Sequence, residues 1–168
     1  KTFLINHNFS KGHINELESI ILSNFEEKNH KSPNKETSRI HNFYMENLDG
    51  EQVFLDDFIG KVLYIDIWAS WCGPCRKQFP YSKELKNKFS KRQLKKINFI
   101  YISIDTDYDK WKKSIVKFDI DGDHFISPAN NENGAGAYFE ASSIPRYILI
   151  NKKGDIVDYN AKRPSDET

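Results

Sequence analysis

The sequence predicts an α/β domain, a central sheet with helices on its faces. Near-continuous apolar runs, "KVLYIDIWA" (61–69) and "INFIYISID" (97–105), read as strands buried on both sides. Between and after them lie segments whose apolar residues recur every three or four positions, the period of an amphipathic helix. The resulting order, strand–helix–strand–helix–strand–strand, is that of helices packed over one sheet.

Taken from the start of the chain, Ile14, Leu17, Ile21 and Phe25 form one apolar helical face, with Ser10 as its N-cap. The polar stretch "EEKNHKSPNKETSR" (26–39), interrupted by Pro33, reads as a linker. Residues 1–39 are therefore an N-terminal helix and linker ending an upstream region, and 40–168 the folded domain. "NFYMENLDGEQVFL" (42–55) sets an Asp-Gly turn between two apolar runs and predicts an N-terminal β-hairpin. After the strand at 61–69, Phe79, Leu85 and Phe89 among lysines predict a helix. After 97–105, Thr106 or Asp107 can cap a helix carrying Trp111, Ile115 and Phe118. "PRYILI" and "DIVDYN" flank the turn "NKKGD" and predict two final strands. "RPSDET" (163–168) reads as the cap of a last helix that is itself missing.

Composition excludes several classes. The 168 residues carry 25 Lys+Arg against 24 Asp+Glu, a net +1, so no overall field draws the chain to nucleic acid. Aromatics at 14% argue against disorder, and no apolar run is long enough to span a membrane. The chain begins at Lys1 without a signal peptide and reads as a trimmed product.

The chemistry centres on "WASWCGPCRKQFP" (68–80), which holds the only two cysteines, Cys72 and Cys75. The strand-to-helix junction falls on this motif. Cys72 then opens the helix, where unpaired N–H groups favour an anion and depress a thiol pKa. Pro74 fits the first turn, which has no N–H bond to lose. Cys75, one turn on, faces inward within disulfide reach. Such a pair can exchange disulfides, Cys72 attacking and Cys75 resolving. A zinc site needs two more ligands, and His7, His13, His30, His41 and His124 offer no paired spacing. A structural disulfide across so short a loop adds little stability, and two unrelated free thiols fit the surrounding motif poorly.

WCGPC between a buried strand and a helix resembles the thioredoxin superfamily. The hairpin, "FIGKVLYIDIWASWCGPCRKQFP" and "SSIPRYILINKKGDIV" together look like its TlpA/ResA-like branch of bacterial thiol–disulfide oxidoreductases, over roughly residues 40–165. The resemblance implies a thioredoxin fold with a central mixed sheet. It implies that Asp66 is a buried acid exchanging a proton with Cys75, and that Pro80 kinks the active-site helix. It implies a cis Ile144–Pro145 bond facing the cysteines, with Trp71, Gly73, Pro74, Ile144 and Pro145 contacting substrate. Haem-maturation relatives carry a Glu where this chain has Gln78, which argues against a dedicated apocytochrome reductase and leaves Asp66 as the proton carrier. Gly-Pro between the cysteines favours a reductase or isomerase over an oxidase. No cofactor and no metal are implied. The partners are disulfide-bearing proteins and an upstream thiol electron donor, in an exported, periplasmic or cell-envelope setting, with a membrane tether in missing N-terminal sequence. The rival readings are a redox-sensing or scaffolding module and a peroxiredoxin-type thiol peroxidase; the Thr/Ser-rich motif of the latter is not in this chain.

Three further signals carry no function. "DIDGDH" (119–124) resembles the start of a calcium loop but has His124 at the sixth position and Asn130 at the twelfth. "NGAGA" (133–137) lacks the preceding strand that a phosphate cradle requires. The basic cluster 86–96 reads as a solvated helix face without an aromatic platform. Trp68 is expected to pack beside the cysteines.

Overall fold

Strand β1 (Val62–Trp68) lies at the centre of the sheet, and all seven of its residues are buried. The computed structural model describes residues 43–166. The predicted N-terminal helix and linker lie outside the described residues. Five strands assemble in the order β3-β2-β1-β4-β5. β2 (Ile97–Ser103) runs parallel to β1, and β3 (Asp123–Ile126) parallel to β2. β4 (Arg146–Ile150) runs antiparallel to β1, and β5 (Ile156–Asp158) antiparallel to β4, so the sheet is mixed.

The continuous apolar run of β1 is required because both faces of the sheet are covered. Tyr64, Asp66 and Trp68 point to one side. There they meet the cluster containing Cys72, Cys75, Phe79, Leu85 and Trp111. Leu63, Ile65 and Ile67 point to the other, against Met45, Leu55, Phe125 and Phe139.

The helix predicted after the cysteines is two segments, α1 (Gly73–Arg76) and α2 (Phe79–Asn87). Pro80 sits in the first turn of α2 and has no N–H to return to the preceding turn, which separates the segments. A short α3 follows (Lys91–Leu94), capped by Ser90, whose Oγ accepts from the Gln93 N–H. α4 (Tyr108–Lys117) is capped by Asp107, whose carboxylate accepts from the Lys110 N–H at 3.0 Å. α5 (Ala135–Tyr138) is a single turn following the Gly134 N-cap.

Around the predicted Asp-Gly turn, Glu46 bridges Gln52 antiparallel, with the Asn47 N–H on the Glu51 carbonyl and the Val53 N–H on the Met45 carbonyl. Asn47 Oδ1 closes its turn by accepting from the N–H groups of Asp49 and Glu51, while Glu46 directs its own N–H and C=O to Ile126. One expectation needs correction, at "DIDGDH". It turns sharply through Asp119 (φ 49°) and Gly122 (φ 141°) into β3, a strand absent from the predicted order.

Candidate active site

The site is built where β1 ends and α1 begins. Cys72 is the N-cap of α1, and its Sγ accepts from the Cys75 N–H at 3.1 Å. The two sulfurs are joined in a disulfide, with Cα atoms 5.3 Å apart. Cys75 is fully buried and Cys72 is 4% exposed. Trp71, by contrast, is 65% exposed, the most open aromatic beside the pair. Pro74 is exposed and Gly73 half-buried. A Cβ on Gly73 would meet only the far end of Arg76, at 3.8 Å, so packing beneath does not demand glycine there.

The loop before β4 faces the disulfide. The Ile144–Pro145 bond is cis, Pro145 is buried, and the Ile144 carbonyl oxygen lies 3.8 Å from Cys72 Sγ.

Asp66 is 2% exposed and lies on the same face of the sheet as the cysteines. Its neighbours in the register are Tyr101 on β2 and Tyr147 on β4. Tyr147 donates its hydroxyl to Asp66 Oδ2. Burial pushes the Asp66 carboxyl up to about 7, and the Tyr147 hydrogen bond works against that rise. Burial likewise raises the hydroxyls of Tyr64, Tyr101 and Tyr147, with the Asp66 charge adding to each. These tyrosines therefore stay protonated and Asp66 alone titrates near neutrality.

Gln78 is buried, and its Oε1 accepts from the Ser165 N–H at 3.2 Å. The segment 161–166 thus closes over this side of the sheet. Its other anchors are Ala161 N–H to the Tyr147 carbonyl and Tyr64 hydroxyl to the Lys162 carbonyl.

Sequence reasoning missed a second carboxylate. Asp105, just past β2, is 2% exposed and accepts three side-chain or main-chain donors. The signal was its position: the carboxyl end of a parallel strand beside β1, where α/β sheets collect their functional groups. The three tyrosines around Asp66 were missed as well, because only the strand register places them there.

A family model described as thioredoxin-like matches residues 60–156, more than half of the chain and the whole of this site. The chain belongs to the thioredoxin-like family. Proteins similar to it include thiol–disulfide oxidoreductases named ResA. The thiol–disulfide oxidoreductase ResA of Bacillus cereus is 27% identical over 70% of this chain. The chain spans 64% of that relative's length. The thioredoxin-like protein YneN of Bacillus subtilis is 27% identical over 74% of this chain and 70% of its own length. Among solved structures, a Bacteroides vulgatus protein provisionally described as a thiol–disulfide oxidoreductase superposes with TM-score 0.66 at 34% identity, covering 78% of this chain and 89% of that one. The thioredoxin domain of a second thiol–disulfide oxidoreductase from that organism also gives TM-score 0.66, at 25% identity over 78% of this chain and 91% of its own. The thioredoxin-like assignment accounts for the mixed sheet and the strand-to-helix placement of the cysteine pair.

Proposed function

We propose that this chain is a thiol–disulfide oxidoreductase working on protein disulfides in the reductase or isomerase direction. One observation carries the reading: Cys72 opens α1 three residues before a fully buried Cys75, with Asp66 on the same face of the sheet. In the reduced protein, the Cys75 N–H that points at Cys72 Sγ favours the Cys72 thiolate. That thiolate attacks a substrate disulfide. A new S–S bond forms to Cys72, and the substrate's other sulfur leaves as a thiolate that takes a proton from water. Cys75 then gives its proton to ionised Asp66 and attacks Cys72 Sγ. The mixed disulfide breaks, the Cys72–Cys75 disulfide forms, and the substrate leaves with two reduced sulfurs. A carboxyl near 7 suits this transfer, since it is half-ionised at neutral pH.

Trp71, Gly73, Pro74, Ile144 and Pro145 form the surface that meets substrate. The Ile144 carbonyl is placed to accept a main-chain N–H from an extended peptide. Electrons return from an upstream thiol donor by the reverse exchange. The setting is exported, at the bacterial cell envelope or periplasm, where protein disulfides persist.

The test is covalent capture. Cys75→Ser leaves Cys72 without a resolving thiol, so mixed disulfides with substrates accumulate and dissolve in reductant. Cys72→Ser captures nothing. Equal capture by both variants would reverse or abolish the assigned roles. Turnover of a generic disulfide with dithiothreitol separates an enzyme from a redox-sensing module.

A further inference from the structure

Asp105 has no part in the exchange just described, yet it is a carboxylate 2% exposed to water. Among the described residues no basic side chain forms an ion pair with it. Burying such a group is costly unless its oxygens find donors. Both do. Oδ2 accepts the Ser70 N–H at 2.7 Å and the Ser103 hydroxyl at 2.6 Å, and Oδ1 accepts the Ser70 hydroxyl at 2.7 Å. Ser103 Oγ in turn accepts the Asp105 N–H at 3.1 Å, so the carboxylate is itself held on the end of β2.

Two of those donors come from one residue, and that residue sits in the turn leading to the disulfide. The Cys72 N–H returns to the Ala69 carbonyl at 3.0 Å, so Ala69–Cys72 is a tight turn with Ser70 as its first corner. Its last two residues diverge. Trp71 is open to solvent, while Cys72 turns in beside the Ile144 carbonyl.

We propose that Asp105 is a positioning residue for thiol exchange: by gripping both the N–H and the hydroxyl of Ser70, it fixes the turn that aims Trp71 outward and Cys72 at the substrate cleft. The inference rests on the exchange reading above. A carboxylate is suited to the task because it presents two acceptor atoms at a fixed spacing, matching the two donors of one serine. Misplacing a reacting atom by about 1 Å can cost as much as 10²-fold in rate, so a loosened turn is felt in exchange before it is felt in folding.

An asparagine separates geometry from charge. In Asp105→Asn the amide oxygen can take the Ser70 N–H and the Ser103 hydroxyl, and the amide nitrogen can donate to Ser70 Oγ. All three contacts survive. Asp105→Ala cuts all three, Ser70→Ala cuts one on the loop side, and Ser103→Ala cuts one on the strand side together with the acceptor of the Asp105 N–H. On the full chain, kcat/KM for a generic disulfide, the rate of Cys72 alkylation by iodoacetamide after reduction, and the thermal midpoint are measured together. The expected loss in kcat/KM is about tenfold for Asp105→Ala and about threefold for Ser70→Ala, with Asp105→Asn and Ser103→Ala within about twofold of the parent. Parent-like exchange in Asp105→Ala overturns the proposal, as does an equal loss in Ser70→Ala and Ser103→Ala. Should Asp105→Ala not fold, the two serine variants decide. A parent chain that reduces no disulfide sinks the exchange reading alone; the alkylation contrast between the serine variants still decides on Asp105.

Discussion

Tyr147 donates its hydroxyl to Asp66 Oδ2 at 2.9 Å across the β1–β4 pairing, while Asp66 Oδ1 has no partner among the described residues. The carboxyl therefore meets one donor in a site walled by tyrosine rings. Tyr64 stacks on Tyr147 with centroids 5.3 Å apart, and Tyr101 pairs with Asp66 from the other side. One neutral hydrogen bond recovers only part of the hydration that burial removes. A base poised near neutrality follows from that imbalance.

Tyr147→Phe removes the one contact that favours the Asp66 anion. Its carboxyl then rises further above the ordinary range. The acid limb of the exchange-rate profile moves to higher pH, with a several-fold loss near pH 6.5 and recovery to within about twofold near pH 8.5. A stopped-flow profile of mixed-disulfide resolution reads this shift. A uniform loss at every pH would mean that Tyr147 only packs.

Much of this arrangement was legible in the sequence, and the omissions share a cause. β1 and β2 announce themselves because strands covered on both faces are apolar throughout. β3 does not, because Asp123 is exposed and His124 half-buried, leaving two apolar residues to carry the signal. Asp66 stood out as an acid inside an apolar run. Tyr147 did not, because its meaning depends on the antiparallel register of β4 against β1. Lys86, read with the solvated basic cluster, is instead buried. Its ammonium lies 4.9 Å and 5.2 Å from the ring centroids of Phe99 and Tyr101 and donates to the Asp121 carbonyl. Its long apolar stem allows a charge pattern and a burial pattern to disagree.

Gly122→Ala tests the turn into β3. At φ 141°, a Cβ there would stand 2.7 Å from the Phe99 carbonyl oxygen and 2.8 Å from Tyr101 Cε2. Neither neighbour can yield freely, since Phe99 O is main chain and the Tyr101 ring is buried. The expected cost is about 2–4 kcal/mol, from backbone strain and overpacking together. Urea unfolding measures it; a loss within about 0.5 kcal/mol would show that the turn relaxes.

Gln78 holds the 161–166 segment by accepting the Ser165 N–H. Gln78→Ala removes that acceptor, while Gln78→Glu keeps one. Tryptic cleavage after Lys162 is therefore expected to speed up several-fold in the alanine variant and to stay near the parent rate in the glutamate variant. The stability loss in Gln78→Ala is about 1 kcal/mol, the worth of one neutral hydrogen bond. Equal cleavage of both variants would mean that Ala161 and Lys162 anchor the segment alone.

Asp66→Asn separates stability from catalysis, and the sign of each effect is fixed by the same carboxyl. Folding raises Asp66 from 3.8 to about 7, so between those values the folded chain binds one more proton than the unfolded chain. Stability therefore falls as pH rises through that window. The penalty is absent below about pH 4 and complete above about pH 7, where it amounts to something on the order of 4 kcal/mol. The asparagine variant escapes it. Its amide oxygen can still accept from Tyr147, but its NH2 replaces the unpartnered Oδ1, at a cost of about 1–3 kcal/mol. Near pH 8 the variant is expected to gain about 1–3 kcal/mol over the parent, and near pH 4 to show a small loss. Exchange moves the other way. With Gln78 unable to titrate, no second acid in the motif takes the Cys75 proton, and resolution slows by about 10²-fold near neutral pH. Urea unfolding at the two pH values, beside turnover from about pH 6 to 8, measures both effects on one protein. Parent-like turnover, or the same destabilisation at both pH values, would make Asp66 a structural residue and leave the exchange without its base.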